Sequence, residues 1–240
     1  YEDGTQQLLA AGNSIIVVRD RQLVGYGALR DGDRIRLLLN ENGKTTDLKE
    51  ITIEGDEHFI TNIYKGRITK IDNISDKITV MNLQAFNRGK WERTEQKGFS
   101  TLLLSDSFKM FSNETILDIE NANKLLYLNE AYIAVEENYG GEEEAVVLSY
   151  RSSSDTAVPV GSERITGVIP GSGQFTLLGE RKKVGYTPDS IVVKYGRLVS
   201  GNSLTENDMA YMALDRNYST GEHHASVVKV DEPQIANGLA

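Results

Sequence analysis

The sequence predicts an all-β protein organised as tandem small β modules. Three observations carry this. Short β-branched and apolar runs, four to six residues long, are separated by Gly, Asn, Asp and Ser, as β-strands and their turns require. Ser14-Ile15-Ile16-Val17-Val18, running through Leu23-Val24 to Leu29-Arg30-Asp31-Gly32-Asp33 and Ile35–Leu39, recurs with one deletion. Its second copy is Ser190-Ile191-Val192-Val193, running through Leu198-Val199 to Leu204-Thr205-Glu206-Asn207-Asp208 and Met209–Leu214. A second marker agrees: Gly66-Arg67-Ile68-Thr69 returns as Glu163-Arg164-Ile165-Thr166. A fainter copy of the first pattern lies between, at Leu125–Asn129 followed by Ala131–Val135. The repeat is longer than those of solenoids, so whole small domains are arrayed.

Taken in order, the expected strands are Ile15–Val18, Ile35–Leu39, Ile51–Ile53, Ile78–Met81, Thr101–Leu104, Tyr132–Val135, Ala145–Leu148, Phe175–Leu178, Ile191–Val193 and Val227–Val230. Turns are expected at Glu41-Asn42-Gly43, Asp72-Asn73, Tyr139-Gly140-Gly141 and Tyr195-Gly196-Arg197, where Asn and Gly tolerate the positive φ of tight hairpins. Ile119–Leu128 is the best helical segment. In the Leu-x-x-Gly-Asp element the leucine plugs the end of a module, the glycine takes a left-handed turn, and Asp33 or Asp208 bonds backbone amides. The markers divide the chain into a module at 1–64 lacking its opening strands, a second at 65–151, a small polar linker at 152–162, and a third at 163–240. Tyr1 falls inside the repeat pattern, so the sequence is expected to be part of a longer protein.

The 240 residues are 39% hydrophobic and 25% charged, enough apolar content to build packed cores. The net charge of −9 opposes a general basic nucleic-acid surface, and no nucleic-acid partner is expected. The absence of cysteine excludes disulfides, thiolate metal sites and cysteine catalysis. No apolar run is long enough for a membrane helix, and no membrane insertion is expected.

Few motifs bear chemistry. The second module carries extra length around Asn82–Ser100, read as a long hairpin that holds the single tryptophan. Arg88, Lys90, Trp91 and Arg93 there form a candidate interaction surface, with Trp91 packed on its neighbour as the plainer alternative. Glu142, Glu143 and Glu144 form a candidate weak calcium site beside Gly140-Gly141, although their spacing fits no EF-hand; no other cofactor is expected. His223 and His224 are assigned to a surface loop, and adjacent histidines on a strand would point to opposite faces. No histidine–carboxylate constellation, nucleophile elbow or phosphate loop is evident, so no enzyme activity is expected.

The order of an Arg-Ile-Thr strand, a second strand, a Ser-Ile-Val-Val strand with a Gly-Arg-Leu-Val hairpin, and Leu-x-x-Gly-Asp leading into a further strand resembles the tandem OB-like β-barrel modules of Gram-positive Firmicutes surface proteins. Those proteins often also carry S-layer homology domains. The resemblance implies a non-catalytic structural protein, extracellular or on the cell surface, that spaces domains or assembles into a lattice or filament. Open β edges and a first module that lacks its opening strands add self-association or neighbouring surface-protein domains as expected partners. A cell-wall polysaccharide bound through Trp91, or a role as accessory region of a larger surface enzyme, is the alternative.

Overall fold

A computed structural model describes residues 15–19, 22–29, 34–41, 46–54, 58–95, 98–138, 141–150, 158–178, 183–216 and 222–231. The chain falls into two compact units, 1–56 and 57–240. The expected division at 64/65 therefore lies inside a strand of the second unit, and so does that at 162/163. All ten predicted strands coincide with observed ones.

In the first unit, β1 (Ile16–Arg19), β2 (Gln22–Val24), β3 (Arg34–Glu41) and β4 (Thr46–Glu54) form a sheet in the order β2-β1-β4-β3. β1 forms a hairpin with β2 and lies parallel to β4, which is antiparallel to β3. Val17, Leu48, Ile51 and Ile53 make its core.

The second unit begins with β5 (Ile60–Asp72), β6 (Lys77–Asn87), β7 (Lys90–Arg93), β8 (Phe99–Ser112) and β9 (Thr115–Leu117). Helix α1 (Ile119–Leu126), β10 (Glu130–Glu137) and β11 (Glu143–Tyr150) complete its first half. The sheet order β7-β6-β5-β10-β11-β8-β9 closes through an added β6–β8 pairing, which gives a five-strand circuit. The second half comprises β12 (Val158–Ile169), β13 (Gln174–Leu177), β14 (Lys183–Gly185), β15 (Ile191–Lys194), β16 (Arg197–Val199), β17 (Met209–Arg216) and β18 (His223–Val230). It closes through β14 on β18. β14 and β15 lie in succession along β18, as the two halves of the continuous β8 lie along β11. Pro188 stands in the gap between β14 and β15, where it lacks a ladder donor.

The sequence repeat is also a repeat of pairings. A hairpin strand lying parallel to the last strand of the module recurs as β1 with β4, β8 with β11 and β15 with β18. The Arg-Ile-Thr marker has a physical role. Ile68 N–H donates to the Asn129 carbonyl and Leu128 N–H to the Ile68 carbonyl; Ile165 makes the same two bonds with Asp208 and Asn207. Leu128 (φ 59°) and Asn207 (φ 74°) are both left-handed, the conformation predicted for the glycine of this element. Gly32 itself lies outside the described residues. Asp208 accepts from the Thr205 amide at 2.8 Å, as the motif predicts, and also pairs with Lys194 at 2.8 Å. In the middle copy the plug is one residue later than the alignment places it. Leu126 is fully buried and Leu125 is exposed, because the helix α1 turns Leu126 inward. That helix starts on an Asp118 cap whose carboxylate accepts from the Asn121 amide.

Three cores occupy the second unit. Ile68, Ile78, Val80, Leu126, Ile133 and Leu148 fill the first barrel, and Ile165, Phe175, Val184, Met212 and Val228 fill the second. The third core is a seam between the barrels, formed by Ile60, Ile63, Phe86, Tyr132, Ala134 and Val146 with Ile191, Val193, Ala213 and Val227. Successive residues of β10 therefore serve two cores, Ile133 and Val135 inward and Tyr132 and Ala134 toward the seam.

Two substitutions test these assignments by urea denaturation. Ile133→Ala is expected to cost about 2–5 kcal/mol, since its fully buried side chain would leave a cavity. Leu128→Gly is expected to stabilise by up to ~1 kcal/mol by removing a non-glycine residue from the left-handed region. A loss of stability in Leu128→Gly would show that the side chain matters more than the backbone.

Candidate functional site

The most chemically distinctive cluster sits where the two barrels join. Backbone residues 58–60 cross the tip of the β15–β16 hairpin. Ile60 N–H donates to the Gly196 carbonyl at 2.7 Å, and Leu198 N–H donates to the His58 carbonyl at 2.9 Å. Gly196 is required there: its φ is 78°, and an added Cβ would lie 2.5 Å from the Phe59 ring. Tyr195, at φ 55°, completes the two left-handed turn residues that suit a tight hairpin.

This anchoring fixes His58 before β5. Its Nδ1 lies 3.0 Å from Glu136 Oε2 on β10, and its Nε2 lies 2.8 Å from Ser107 Oγ on β8. Ser107 belongs to a bulge. The β8–β11 register jumps from Leu104↔Ala145 to Lys109↔Val147, so residues 105–108 stand outside that ladder. Glu136 lies beside a second shift, between Val135 and Glu136 in the β5–β10 pairing. The His58 and Glu136 side chains are 19% and 22% exposed, sheltered yet reachable. In the tautomer that carries its hydrogen on Nδ1, the ring donates to the Glu136 carboxylate and Nε2 accepts from the Ser107 hydroxyl. Ser105 Oγ lies 3.2 Å from Ser107 Oγ, so a second hydroxyl adjoins it.

Thr187 and His224, 2.9 Å apart, look similar but differ in proton placement. The Thr187 hydroxyl is directed at Asp189, so its hydrogen is committed to that carboxylate. Asp189 is buried and also accepts from the Glu114 amide at 3.2 Å, a second polar clasp between the barrels.

The residues expected from sequence fall elsewhere. Arg88, Lys90 and Arg93 are exposed on the β6–β7 hairpin. Trp91 is half-buried against the seam, 4.8 Å from the Phe86 ring and stacked at 5.6 Å on Tyr132, with Lys65 Nζ 5.3 Å from its ring centre. A half-buried ring with one face stacked on Tyr132 is a packing element and not an open platform. The acidic tip does not converge on a cation. Glu143 accepts from Tyr64 at 2.7 and 2.9 Å and from Asn62 at 2.7 Å, while Glu144 accepts from Asn138 at 2.7 Å. Among the described residues no group of three or more His, Asp or Glu could hold a metal. His223 and His224 lie on strand β18 and not in a loop. The expectation that histidine meets no carboxylate is corrected by His58 and Glu136, which are 78 residues apart. Ser107 is 49 residues from His58, and no local motif marks any of the three.

No family model and no curated protein matches the chain. A solved structure titled drosophila Unr CSD456 is similar at 12% identity and a TM-score of 0.27, over 74% of this chain and 63% of that one. The chain thus spans about three fifths of that structure's length. The likeness assigns this chain no ligand. The expectation that nucleic acid is excluded as a partner does not stand on the charge that suggested it. The net charge of −9 is a whole-chain sum and leaves local basic faces open.

Two measurements follow. Burial, then the hydrogen bond and the negative charge of Glu143, hold the Tyr64 hydroxyl well above its ordinary range. Folded Tyr64 thus ionises later than unfolded Tyr64. Its contribution is intact below about pH 10 and is lost as pH rises further. Tyr64→Phe is expected to flatten the alkaline fall in stability between about pH 9 and 12, read from urea melts; an unchanged slope would assign the fall elsewhere. Trp91 is the only tryptophan, so its emission reports the seam. It is expected to change together with far-UV circular dichroism on unfolding; an earlier change would show the seam opening separately.

Proposed function

We propose that the protein is a structural repeat protein of tandem small OB-like β-barrel modules that spaces or assembles at the cell surface or outside the cell. Strand order supports the OB-like reading: the circuit β5-β6-β8-β11-β10 is a closed five-strand barrel in which β8 and β11, third and fifth in chain order, run parallel. Tight sharing of an apolar seam between two barrels suits a stiff spacer.

The observation that carries the assembly reading is the edge of the first unit. β10 and β17 are each covered by an opening strand, β5 and β12. Their counterpart β3 pairs only with β4 among the described residues, and it exposes Ile35 (42%) and Leu38 (59%). An uncovered strand edge with apolar side chains is a template for strand addition, and a second copy of the chain is the occupant we assign to it. Trp91, packed at the seam, supports no wall-polymer platform.

Light scattering with negative-stain imaging tests this. The parent is expected to form species above the 26.6 kDa monomer as concentration rises, and Leu38→Lys to return it toward monomer. A monomer at every concentration overturns assembly through this edge.

A further inference from the structure

We propose that Ser107 is an activated nucleophile that takes an acyl group from a carboxylic ester, with His58 as its general base and Glu136 as the residue that positions His58. This does not depend on the assembly reading.

Three features argue for it. The two ring nitrogens of His58 meet Ser107 Oγ and the Glu136 carboxylate at 2.8 and 3.0 Å, and with the hydrogen on Nδ1 the chain runs in one sense, from Ser107 Oγ–H to Nε2 and from Nδ1–H to Glu136. Those distances fall within the reach required of a nucleophile, its base and the group that orients the base. Secondly, the bulge lifts the serine out of the ladder. A regular β8 would hold residues 105–108 in pairing with β11; the extra residues instead carry Ser107 across to a histidine on the segment that leads into β5. Thirdly, the backbone of His58 is held through the Leu198 bond and the neighbouring Ile60–Gly196 bond, so the point from which its ring extends is fixed independently of the two side chains it joins. The site lies at the junction of two barrels and is partly exposed, where a small ester can reach it.

The reaction balances without a co-reactant other than water. Ser107 Oγ adds to the ester carbonyl carbon as its proton passes to His58 Nε2, and the carbonyl π pair moves to oxygen. The second hydroxyl, on Ser105, lies against the attacking oxygen. Collapse of the adduct breaks the bond to the alcohol oxygen, which takes the proton from Nε2 and leaves an acyl group on Ser107. Water then gives a proton to Nε2 and adds to the acyl carbon. The second collapse releases the carboxylic acid and returns the proton to Ser107. Glu136 keeps Nδ1 protonated, so that Nε2 is the basic nitrogen in each step.

The test uses the full chain, a fluorophosphonate probe and p-nitrophenyl acetate. Peptide mapping is expected to place the probe on Ser107. Ser107→Ala is expected to abolish labelling, His58→Gln to slow it by about 10²-fold or more, and Ser172→Ala, on an exposed turn outside the site, to retain it. Glu136→Gln is expected to lower the acylation rate with little change in KM, and Glu136→Asp to restore part of it, a split that a merely structural role would not produce. The chain has no cysteine, so Ser107→Cys carries one thiol and gives a second readout. Its alkylation by iodoacetamide is expected to exceed that of a free thiol at neutral pH, and to fall when His58→Gln is added. Probe spread over other serines, or a thiol in Ser107→Cys that reacts no faster than a free one, overturns the proposal.

Discussion

The seam between the two barrels is the constraint on which the second unit depends. An isolated small barrel needs only its inner face apolar. Here β10, β11, β15, β17 and β18 must each be apolar on both faces, because one face lines a barrel and the other lines the seam. This explains the unbroken run Ala131-Tyr132-Ile133-Ala134-Val135, all buried, where an ordinary half-exposed strand would alternate with polar residues. Ala134 and Ala213 are small where the two sheets meet, and Tyr132, Phe86 and Trp91 fill the space at the margin with packed rings.

The polar chemistry of the junction follows from that packing. Once the seam docks the β15–β16 hairpin against the segment leading into β5, the backbone of residues 58–60 has partners and His58 has a fixed place. Two local irregularities, in β8 and in the β5–β10 pairing, then bring Ser107 and Glu136 to its two ring nitrogens. At the other clasp, Asp189 is buried between Thr187 and the Glu114 amide, and the Thr187 hydroxyl points at that carboxylate instead of at His224, which lies 2.9 Å away. The difference between the two clusters is one of proton direction, set by which group the carboxylate touches.

The repeated modules also show how one pairing problem accepts different residues. In the two described copies the turn ahead of the following strand is left-handed, so that its amide and the carbonyl of the next residue both face the Arg-Ile-Thr strand. Asn207 meets this at modest cost, and Leu128 is held in it by its own bond to Ile68 and that of Asn129. The middle copy diverges in sequence for the same reason that its plug moves from Leu125 to Leu126: a short capped helix replaces a single turn and changes which residue faces inward.

Strand positions and the repeat were legible in the amino-acid order, because alternating and β-branched runs act locally and each copy repeats the same pairings. The left-handed turn and the aspartate that braces it were legible for that reason too. The extent of each unit was not, since a seam that joins two modules into one compact body leaves no compositional mark. Trp91 was legible as a distinctive residue but not as a packing one, because its partners Phe86 and Tyr132 lie on strands whose neighbours are chosen by closure of the barrel. Ser107, His58 and Glu136 carry no local signature at all. They meet only after three strands are placed, two bulges are formed and a second barrel pins the histidine, and those are decisions of tertiary structure that no short stretch of chain contains.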